Sequence, residues 1–257
     1  MGTLITLFYL ILTFLYFEFY LLVFISWRKN RRSHIEVFMI NQARRILTVT
    51  KTLSGMKFLI DSNSFDKLPE RFILICNHQS FVDIAILTAA FSEYPLKFVT
   101  KKSLKYGIPT VSKCLRYGNH AFINRTGTFR PTRRALVSLS KLDFNKKDNY
   151  NKSFHHQKNP CSFVIFPEGT RTRTGQIGKF HSAGLRILVQ QTQLPLVAVA
   201  IDGGTSITHS TSLSNIKNIV YKLKILSIHK TTSNRQDISV ALTRIRNEII
   251  TQVNHWK

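Results

Sequence analysis

The chain has 257 residues, a length that suits one catalytic-sized domain with an appendage. Its 37 Lys and Arg residues against 13 Asp and Glu residues give a formal net charge of +24. Hydrophobic residues make up 44% of the chain, which excludes a disordered basic tail protein because such a protein lacks the apolar content to collapse. The excess charge requires a polyanionic neighbour, which is nucleic acid, an anionic membrane surface or a phosphorylated substrate.

The N-terminal segment is an apolar run from about residue 4 to residue 27, interrupted by one charged residue, Glu18. As a helix it would be about 36 Å long, more than the roughly 30 Å hydrocarbon core of a bilayer. Basic residues follow at once: Arg28, Lys29, Arg31 and Arg32. The positive-inside tendency therefore predicts a transmembrane helix with the rest of the chain in the cytoplasm. A buried core helix is the alternative.

A second, basic amphipathic helix is predicted at about residues 35–54, where apolar side chains recur at helical spacing and Gly55 marks the end. Such a helix next to an apolar segment suggests one that lies in the headgroup layer, in contact with anionic lipids. The alternative is a helix packed on its own domain. We expect residues 1–57 to form a membrane anchor, single-pass or interfacial, and residues 58–257 to form the catalytic domain.

Short apolar runs alternate with helical patterns in the rest of the chain. Strands are predicted at residues 71–76, 96–100, 121–124, 162–166 and 195–201, with helices between them and a last helix at 237–256. This alternation predicts an α/β fold with a mostly parallel central sheet flanked by helices. The polar stretch at about residues 143–160 is predicted to be an exposed insertion loop.

The cysteines Cys76, Cys114 and Cys161 lie far apart in the chain, without CxxC pairing. Their spacing argues against a disulfide framework or a zinc site and fits a reducing compartment. We expect each of them to be a small hydrophobic residue of the core. The nucleotide motifs GxxxxGK[ST] and GxGxxG are absent as well, so we expect neither a metal nor a cofactor.

The first segment that carries chemistry is NHQSFVD at residues 77–83, where a predicted strand gives way to a helix. If that helix begins near Ser80, the carboxylate of Asp83 falls in the first turn and can approach the His78 ring. A carboxylate that holds one imidazole nitrogen leaves the other free to accept a proton. The alternative is structural, because Ser-x-x-Asp at the start of a helix is also a capping pattern.

The second segment is FPEGTR at residues 166–171, directly after a predicted buried strand. Polar residues at the carboxyl end of a strand suit a site in an open α/β sheet. Gly169 allows an unusual backbone angle, and Arg171 offers a forked donor to a phosphate. The alternative is a turn in which Glu168 and Arg171 pair with each other. A third segment, GNHAFINR at residues 118–125, ends on another arginine.

In this order and spacing the three segments resemble the motifs of the glycerophosphate and lysophosphatidate acyltransferase family, over roughly residues 68–204. The resemblance implies that His78 is the general base that deprotonates the acceptor hydroxyl, and that Asp83 orients it. It also implies a set of substrate-binding residues, with a phosphate contact from Arg125 and a glycerol-phosphate pocket formed by Glu168, Gly169, Thr170 and Arg171. Weaker candidates for the wall of that pocket are Lys179 and Phe180.

The same resemblance implies a membrane-bound enzyme that transfers a fatty acyl group from acyl-CoA or acyl-carrier protein to lysophosphatidate, which gives phosphatidate. Glycerol 3-phosphate or another lysophospholipid is the alternative acceptor. Ala198 and Asn124 stand where the family often has Pro and Asp, which weakens the inference about acceptor and chain. From other classes, a non-catalytic lipid-binding protein and a basic nucleic-acid-binding membrane protein are the alternatives. The second leaves the three motifs unexplained, so nucleic acid is not expected as a partner.

Overall fold

The computed structural model describes residues 2–21, 23, 31–108, 110–124, 129–141, 161–172, 174–209, 219–231 and 234–257. Within them the helices are α1 Gly2–Tyr20, α2 Arg31–Ser54, α3 Val82–Ala90, α4 Val111–Tyr117, α5 Phe129–Ser140, α6 Ala183–Thr192, α7 Gly204–His209 and α8 Arg235–Trp256. The strands are β1 Lys57–Ile60, β2 Ile73–Cys76, β3 Leu96–Lys101, β4 Ala121–Ile123, β5 Ser162–Ile165, β6 Leu196–Asp202 and β7 Val220–His229.

These strands form a sheet of seven strands in the order β1-β7-β6-β2-β5-β3-β4. Strands β6, β2, β5, β3 and β4 are parallel, whereas β7 runs antiparallel to β6 and parallel to β1. The predicted α/β fold with a mostly parallel sheet is therefore confirmed. Because β2, β5 and β6 are parallel neighbours, their carboxyl ends meet at one edge, which brings residues 77–83 and 166–171 together.

Helices cover the sheet on both sides, so the central strands are buried on both faces and are continuously apolar. Ile73 and Ile75 of β2 belong to a core with side chains of α5, α6 and α8, whereas Leu74 and Cys76 belong to a second core with α3 and β7. The predicted C-terminal helix is confirmed: α8 buries one apolar stripe, Ile238, Leu242, Ile245, Ile249 and Val253. All three cysteines are buried and free, as expected.

The two N-terminal helices pack against the rest of the protein. In α2, the apolar side chains of Ile35 and Phe38 are buried, and the helix ends at Ser54, just before Gly55 as predicted. In α1, the Glu18 carboxylate accepts hydrogen bonds from the Thr110 backbone N–H and hydroxyl and pairs with Lys113 of α4. The charge in this apolar helix is thus neutralised by the neighbouring helix.

None of the helices formed by the described residues is both long and apolar enough to cross a membrane. The predicted transmembrane segment, residues 4–27, includes 22 and 24–27, which lie outside the described residues. The predicted insertion loop at 143–160 lies outside them as well. On α1, an exposed apolar stripe recurs at helical spacing, formed by Phe8, Ile11, Leu15 and Phe19, each between 50% and 64% exposed.

Candidate active site

The turn from β2 to α3 is fixed to the end of β6 by two amide side chains. The Asn77 side chain donates to the carbonyl of Ile201 at 2.9 Å and accepts from the Ile201 N–H at 3.0 Å. The Gln79 side chain donates to Asp202 at 3.1 Å and accepts from the Gly204 N–H at 2.9 Å. His78 lies between these two anchored residues, so its backbone is held on both sides.

The predicted contact between His78 and Asp83 is present, with His78 Nδ1 2.7 Å from Asp83 Oδ2. The same oxygen accepts the backbone N–H groups of Gln79 and Ser80 at 2.7 and 2.9 Å. An oxygen that accepts these two N–H groups is a carboxylate oxygen, so Nδ1 is the nitrogen that donates to it. Asp83 therefore caps the turn and orients the imidazole, and the two interpretations of its spacing hold together.

The His78 ring stacks on Phe166, with ring centroids 4.1 Å apart and an interplanar angle of 18°. Its side chain is 13% exposed, and Nε2 makes no hydrogen bond within the described part of the chain. An imidazole with Nδ1 on a carboxylate and Nε2 free has the geometry of a general base. Phe166, the first residue of the FPEGTR segment, thus packs against the His78 ring and helps to fix its orientation.

Glu168 joins the two motifs through backbone contacts. Its Oε1 accepts the His78 N–H and its Oε2 accepts the Gly178 N–H, each at 2.8 Å. Burial raises the pKa of Glu168, and these two hydrogen bonds act in the opposite direction. Both carboxylate oxygens are occupied by backbone groups, so Glu168 orders the loop around His78.

Arg171 lies over the ring of Phe81, with its guanidinium carbon 3.8 Å from the ring centroid. Within the described residues no ion pair joins Arg171 to Glu168. The stacking leaves the edge of the guanidinium available to an anion, next to the turn that carries His78 and Phe81. The alternative interpretation, in which Glu168 and Arg171 pair with each other, is therefore wrong, and each side chain makes its own separate contacts.

The structure describes four of the other predicted binding residues and places only some of them where they could contact a ligand. Gly169 has a φ of +71°, which only glycine adopts easily, and this turn leaves the Thr170 side chain exposed. Arg125 lies outside the described residues. Lys179 is exposed, whereas Phe180 is buried in the core with α5 and α6, so its ring does not line a polar pocket.

Two contacts of Asp83 come from residues that the sequence motifs do not include. Tyr221 of β7 is 1% exposed, and its hydroxyl donates to Asp83 Oδ1 at 2.6 Å. Gly204 packs so closely on the turn that an added Cβ would lie 2.9 Å from the Cβ of Gln79 and 3.0 Å from Asp83 Oδ1. Tyr221 lies outside the segment that resembles the family, and Gly204 is at its very end, so none of the three motifs points to either residue.

Replacing Tyr221 with phenylalanine is expected to lower kcat about tenfold with little change in KM, because a hydrogen bond to a carboxylate is lost and Asp83 holds His78 less firmly. Steady-state kinetics of the purified full chain measures both constants. A fall in thermal stability with unchanged kcat would contradict a positioning role and leave Tyr221 as a packing residue only.

An apolar cavity of about 320 Å³ lies next to this turn, between α1, α2, α3 and α4. Phe81, which carries Arg171 on one ring face, lines it, and so do Ile84, Ala85 and Thr88 further along α3. The helices α1, α2 and α4 supply most of its other walls, among them Phe17, Phe38, Gln42 and Leu115, and Ile108, which precedes α4, completes them. The site therefore combines a base, a cation and an apolar cavity.

The described residues include no cluster of three or more His, Cys, Asp or Glu side chains that could hold a metal ion. The groups next to a substrate at this turn include the His78 imidazole, the Arg171 guanidinium and the apolar cavity. This set suits the binding of a molecule with an anionic head and an aliphatic tail.

The sequence of the chain is similar to several 1-acyl-sn-glycerol-3-phosphate acyltransferases. One from Cocos nucifera is 27% identical over 155 residues, which are 58% of this chain and 42% of the relative. One from Saccharomyces cerevisiae is 30% identical over 174 residues, which are 64% of this chain and 49% of the relative. The matched part thus spans less than half the length of these two relatives.

The fold is similar to the crystal structure of the 1-acyl-sn-glycerophosphate acyltransferase PlsC from Thermotoga maritima, with a TM-score of 0.64 and 21% identity. That similarity covers 100% of this chain and 98% of the other. The profile of the family described as Acyltransferase matches residues 60–202, more than half of the chain, and includes both the His78–Asp83 pair and the FPEGTR segment. The chain belongs to the Acyltransferase family.

Proposed function

We propose that the chain is an O-acyltransferase that moves a fatty acyl group from an acyl thioester to the free hydroxyl of lysophosphatidate, which gives phosphatidate. The observation that carries this proposal is the His78–Asp83 pair, with Nδ1 held at 2.7 Å and Nε2 free. The names of the sequence relatives from Cocos nucifera and Saccharomyces cerevisiae support the choice of acceptor.

In the proposed reaction, Nε2 of His78 takes the proton of the acceptor hydroxyl as its oxygen attacks the thioester carbonyl. A tetrahedral intermediate forms and collapses, the carbon–sulfur bond breaks, and the leaving thiolate takes the proton back from the imidazolium. Asp83 stabilises that imidazolium through Nδ1 and keeps the ring oriented throughout. The enzyme needs no nucleophile of its own, and the sequence contains no GxSxG motif.

The surroundings of the pair support the proposed substrates. The apolar cavity beside Phe81 suits an aliphatic chain, because its walls are almost entirely hydrophobic side chains. Arg171 and Arg125 are the proposed contacts for the acceptor phosphate, and Gly169 and Thr170 are proposed to line the same pocket. Glu168 is proposed to shape the pocket indirectly, by ordering the loop through its two backbone contacts. The proposed acyl donor is acyl-CoA or acyl-carrier protein. Both are anionic, so the basic surface suits either of them.

A direct test offers the purified full chain labelled acyl-CoA or acyl-carrier-protein thioesters with lysophosphatidate, glycerol 3-phosphate or an uncharged lysolipid. We expect phosphatidate as the main product. If only glycerol 3-phosphate gave a product, the proposed acceptor would be wrong and the proposed reaction type would still hold. Binding of lysophosphatidate without product from any pairing would overturn the proposal in favour of a non-catalytic lipid-binding protein.

The Arg171→Ala variant is expected to raise the KM for lysophosphatidate about tenfold or more, because a charge-assisted contact to the phosphate is lost. The KM for an acceptor without phosphate, such as a monoacylglycerol, is expected to change little. Steady-state kinetics with both acceptors measures this difference. Arg171→Lys serves as the matched variant, since it keeps the charge and removes the fork. Equal effects on both acceptors would contradict the phosphate contact.

Residues 1–57 are the proposed membrane anchor, and α1 is the part that supports an interfacial contact. Its stripe of Phe8, Ile11, Leu15 and Phe19 exposes apolar surface, and the chain as a whole carries an excess of positive charge. Apolar side chains next to basic ones favour binding to anionic lipid. The cytoplasmic position of the residues after 27 stays a prediction from the basic residues that follow the apolar run.

A further inference from the structure

A path of hydrogen bonds connects the C-terminal helix α8 with the catalytic turn. It starts at Arg246 of α8, whose Nε donates to the carbonyl of Gly178 at 2.8 Å and whose Nη2 donates to the carbonyl of Ile177 at 3.1 Å. Both carbonyls lie in the stretch that follows the FPEGTR segment, whose described residues 174–182 form neither helix nor strand. Such a stretch has no regular backbone partners of its own, so contacts from other elements determine its position.

One peptide group of this stretch is hydrogen-bonded at both ends. Its carbonyl, from Ile177, accepts the guanidinium of Arg246, and its N–H, from Gly178, donates to Glu168 Oε2 at 2.8 Å. A peptide group whose carbonyl accepts a hydrogen bond is polarised, which makes its N–H a better donor. The positive charge of Arg246 therefore strengthens the hydrogen bond that Glu168 accepts.

Glu168 connects this peptide group to the catalytic turn, because its other oxygen, Oε1, accepts the His78 N–H at 2.8 Å. Gly178 fits closely against the carboxylate, since an added Cβ would lie 3.3 Å from Glu168 Oε2. The His78 carbonyl accepts the N–H of Thr172 at 2.9 Å, so the same loop is bonded to His78 on both sides. A displacement of Gly178 would therefore move the acceptor of the His78 N–H.

Helix α8 is a firm support for this path. Ile245 and Ile249, before and after Arg246 in the chain, are completely buried in the core beneath the sheet. The Arg246 side chain is itself only partly buried, and its guanidinium reaches the loop from the rim of that buried face. Arg246 lies outside residues 60–202, the part of the chain that the family profile matches.

We propose that Arg246 is a positioning residue for the acyl transfer, which aligns the FPEGTR segment with the catalytic base by acting through Glu168. The inference rests on the proposed function and adds a residue to its machinery. The two hydrogen bonds of Arg246 go to backbone carbonyls, so its effect reaches the base through the loop and not through a contact with the substrate.

The test is a double-mutant cycle of Arg246→Ala and Glu168→Gln, with kcat/KM for lysophosphatidate measured on the purified full chain. Each single variant is expected to lower kcat/KM about tenfold, because charge-assisted hydrogen bonds are lost. Since Arg246 acts through Glu168, the double variant is expected to match Glu168→Gln within about twofold. Independent effects would multiply to a loss of about a hundredfold, and that result would overturn the inference.

Two variants of the same helix are the controls for this cycle. Arg246→Lys keeps the charge but loses the fork that contacts two carbonyls, so it is expected to recover only part of the loss. Arg244→Ala removes a neighbouring cation that pairs with Glu248, and it is expected to keep the kcat/KM of the parent. An equal loss in Arg244→Ala and Arg246→Ala would contradict a specific role of Arg246.

Hydrogen exchange of backbone amides tests the path without turnover, so it separates this inference from the proposed function. In Arg246→Ala the amides of Gly178 and His78 are expected to exchange about tenfold faster, whereas peptides from β3 keep their rate. Faster exchange at Gly178 with an unchanged rate at His78 would overturn the inference, because the effect would then end in the loop. Faster exchange at both amides without transfer from any donor to any acceptor would support the path and overturn the proposed function.

Discussion

The His78→Ala variant is expected to lose acyl transfer by about 10²–10⁴-fold, the range that a general base contributes. The imidazole is the only group at this turn with one nitrogen on a buried carboxylate and the other free within the described residues. The turn itself is held by contacts of Asn77, Gln79 and Glu168, so the variant is expected to fold normally and to keep its binding to lipid vesicles.

The matched control for this experiment is His181→Ala. His181 lies in the loop after the FPEGTR segment with an exposed side chain, and its backbone N–H donates to the carbonyl of Pro167 at 2.8 Å. Turnover and thermal stability of all three proteins are measured under the same conditions. If His78→Ala kept the turnover of His181→Ala, His78 would not be the base.

The Lys97→Met variant is expected to lower the free energy of unfolding by about 3–5 kcal/mol. Lys97 of β3 is fully buried, forms an ion pair with Glu36 of α2, and donates to the carbonyl of Gly118 at 2.6 Å. Removal of the ammonium group leaves the Glu36 carboxylate buried without its counter-charge. Denaturant-induced unfolding of the purified full chain gives the difference.

The double variant Glu36→Leu with Lys97→Met separates two contributions to the free energy of unfolding. One is the net stabilisation by the ion pair, and the other is the penalty for leaving one of its charges buried alone. We expect the double variant to recover most of the lost stability, because two apolar side chains of similar volume replace two charges that had to be desolvated. The comparison pair is Arg244 and Glu248, in which Arg244 is 73% exposed, so Arg244→Ala is expected to cost only about 0.3–0.5 kcal/mol. A Lys97→Met effect as small as that would contradict the expected penalty for leaving Glu36 buried without its counter-charge.

Much of the fold could be predicted from the chain because the central strands are continuous apolar runs. Strand β7 was missed because its pattern is different: buried residues such as Tyr221 alternate with half-buried Lys222 and Lys224. One face of β7, which pairs antiparallel with β6, is buried and the other is partly exposed to solvent. Its sequence therefore alternates apolar and polar residues. Strand β1 could not be predicted for a different reason. It has only four residues, and exposed and half-buried side chains alternate along it, so it lacks a continuous apolar run.

The site was predicted in part. The spacing of His78 and Asp83 was enough to predict their contact, because both lie in one turn between a strand and a helix. The helix begins at Val82, two residues after Ser80, and Asp83 lies in its first turn as expected, where its carboxylate accepts the Ser80 N–H at 2.9 Å. The orientations of Glu168 and Arg171 could not be predicted, because their partners come from other loops.

The packing of Gly204 limits how this protein can evolve. The glycine lies 121 positions after Asp83 in the chain and belongs to none of the three motifs, yet its backbone rests directly on the catalytic turn. Any side chain there would press on Gln79 and Asp83, so a lineage that changes this residue must reshape the turn in the same step. We therefore expect almost no substitution of Gly204 to be tolerated, although the residue takes no part in the chemistry.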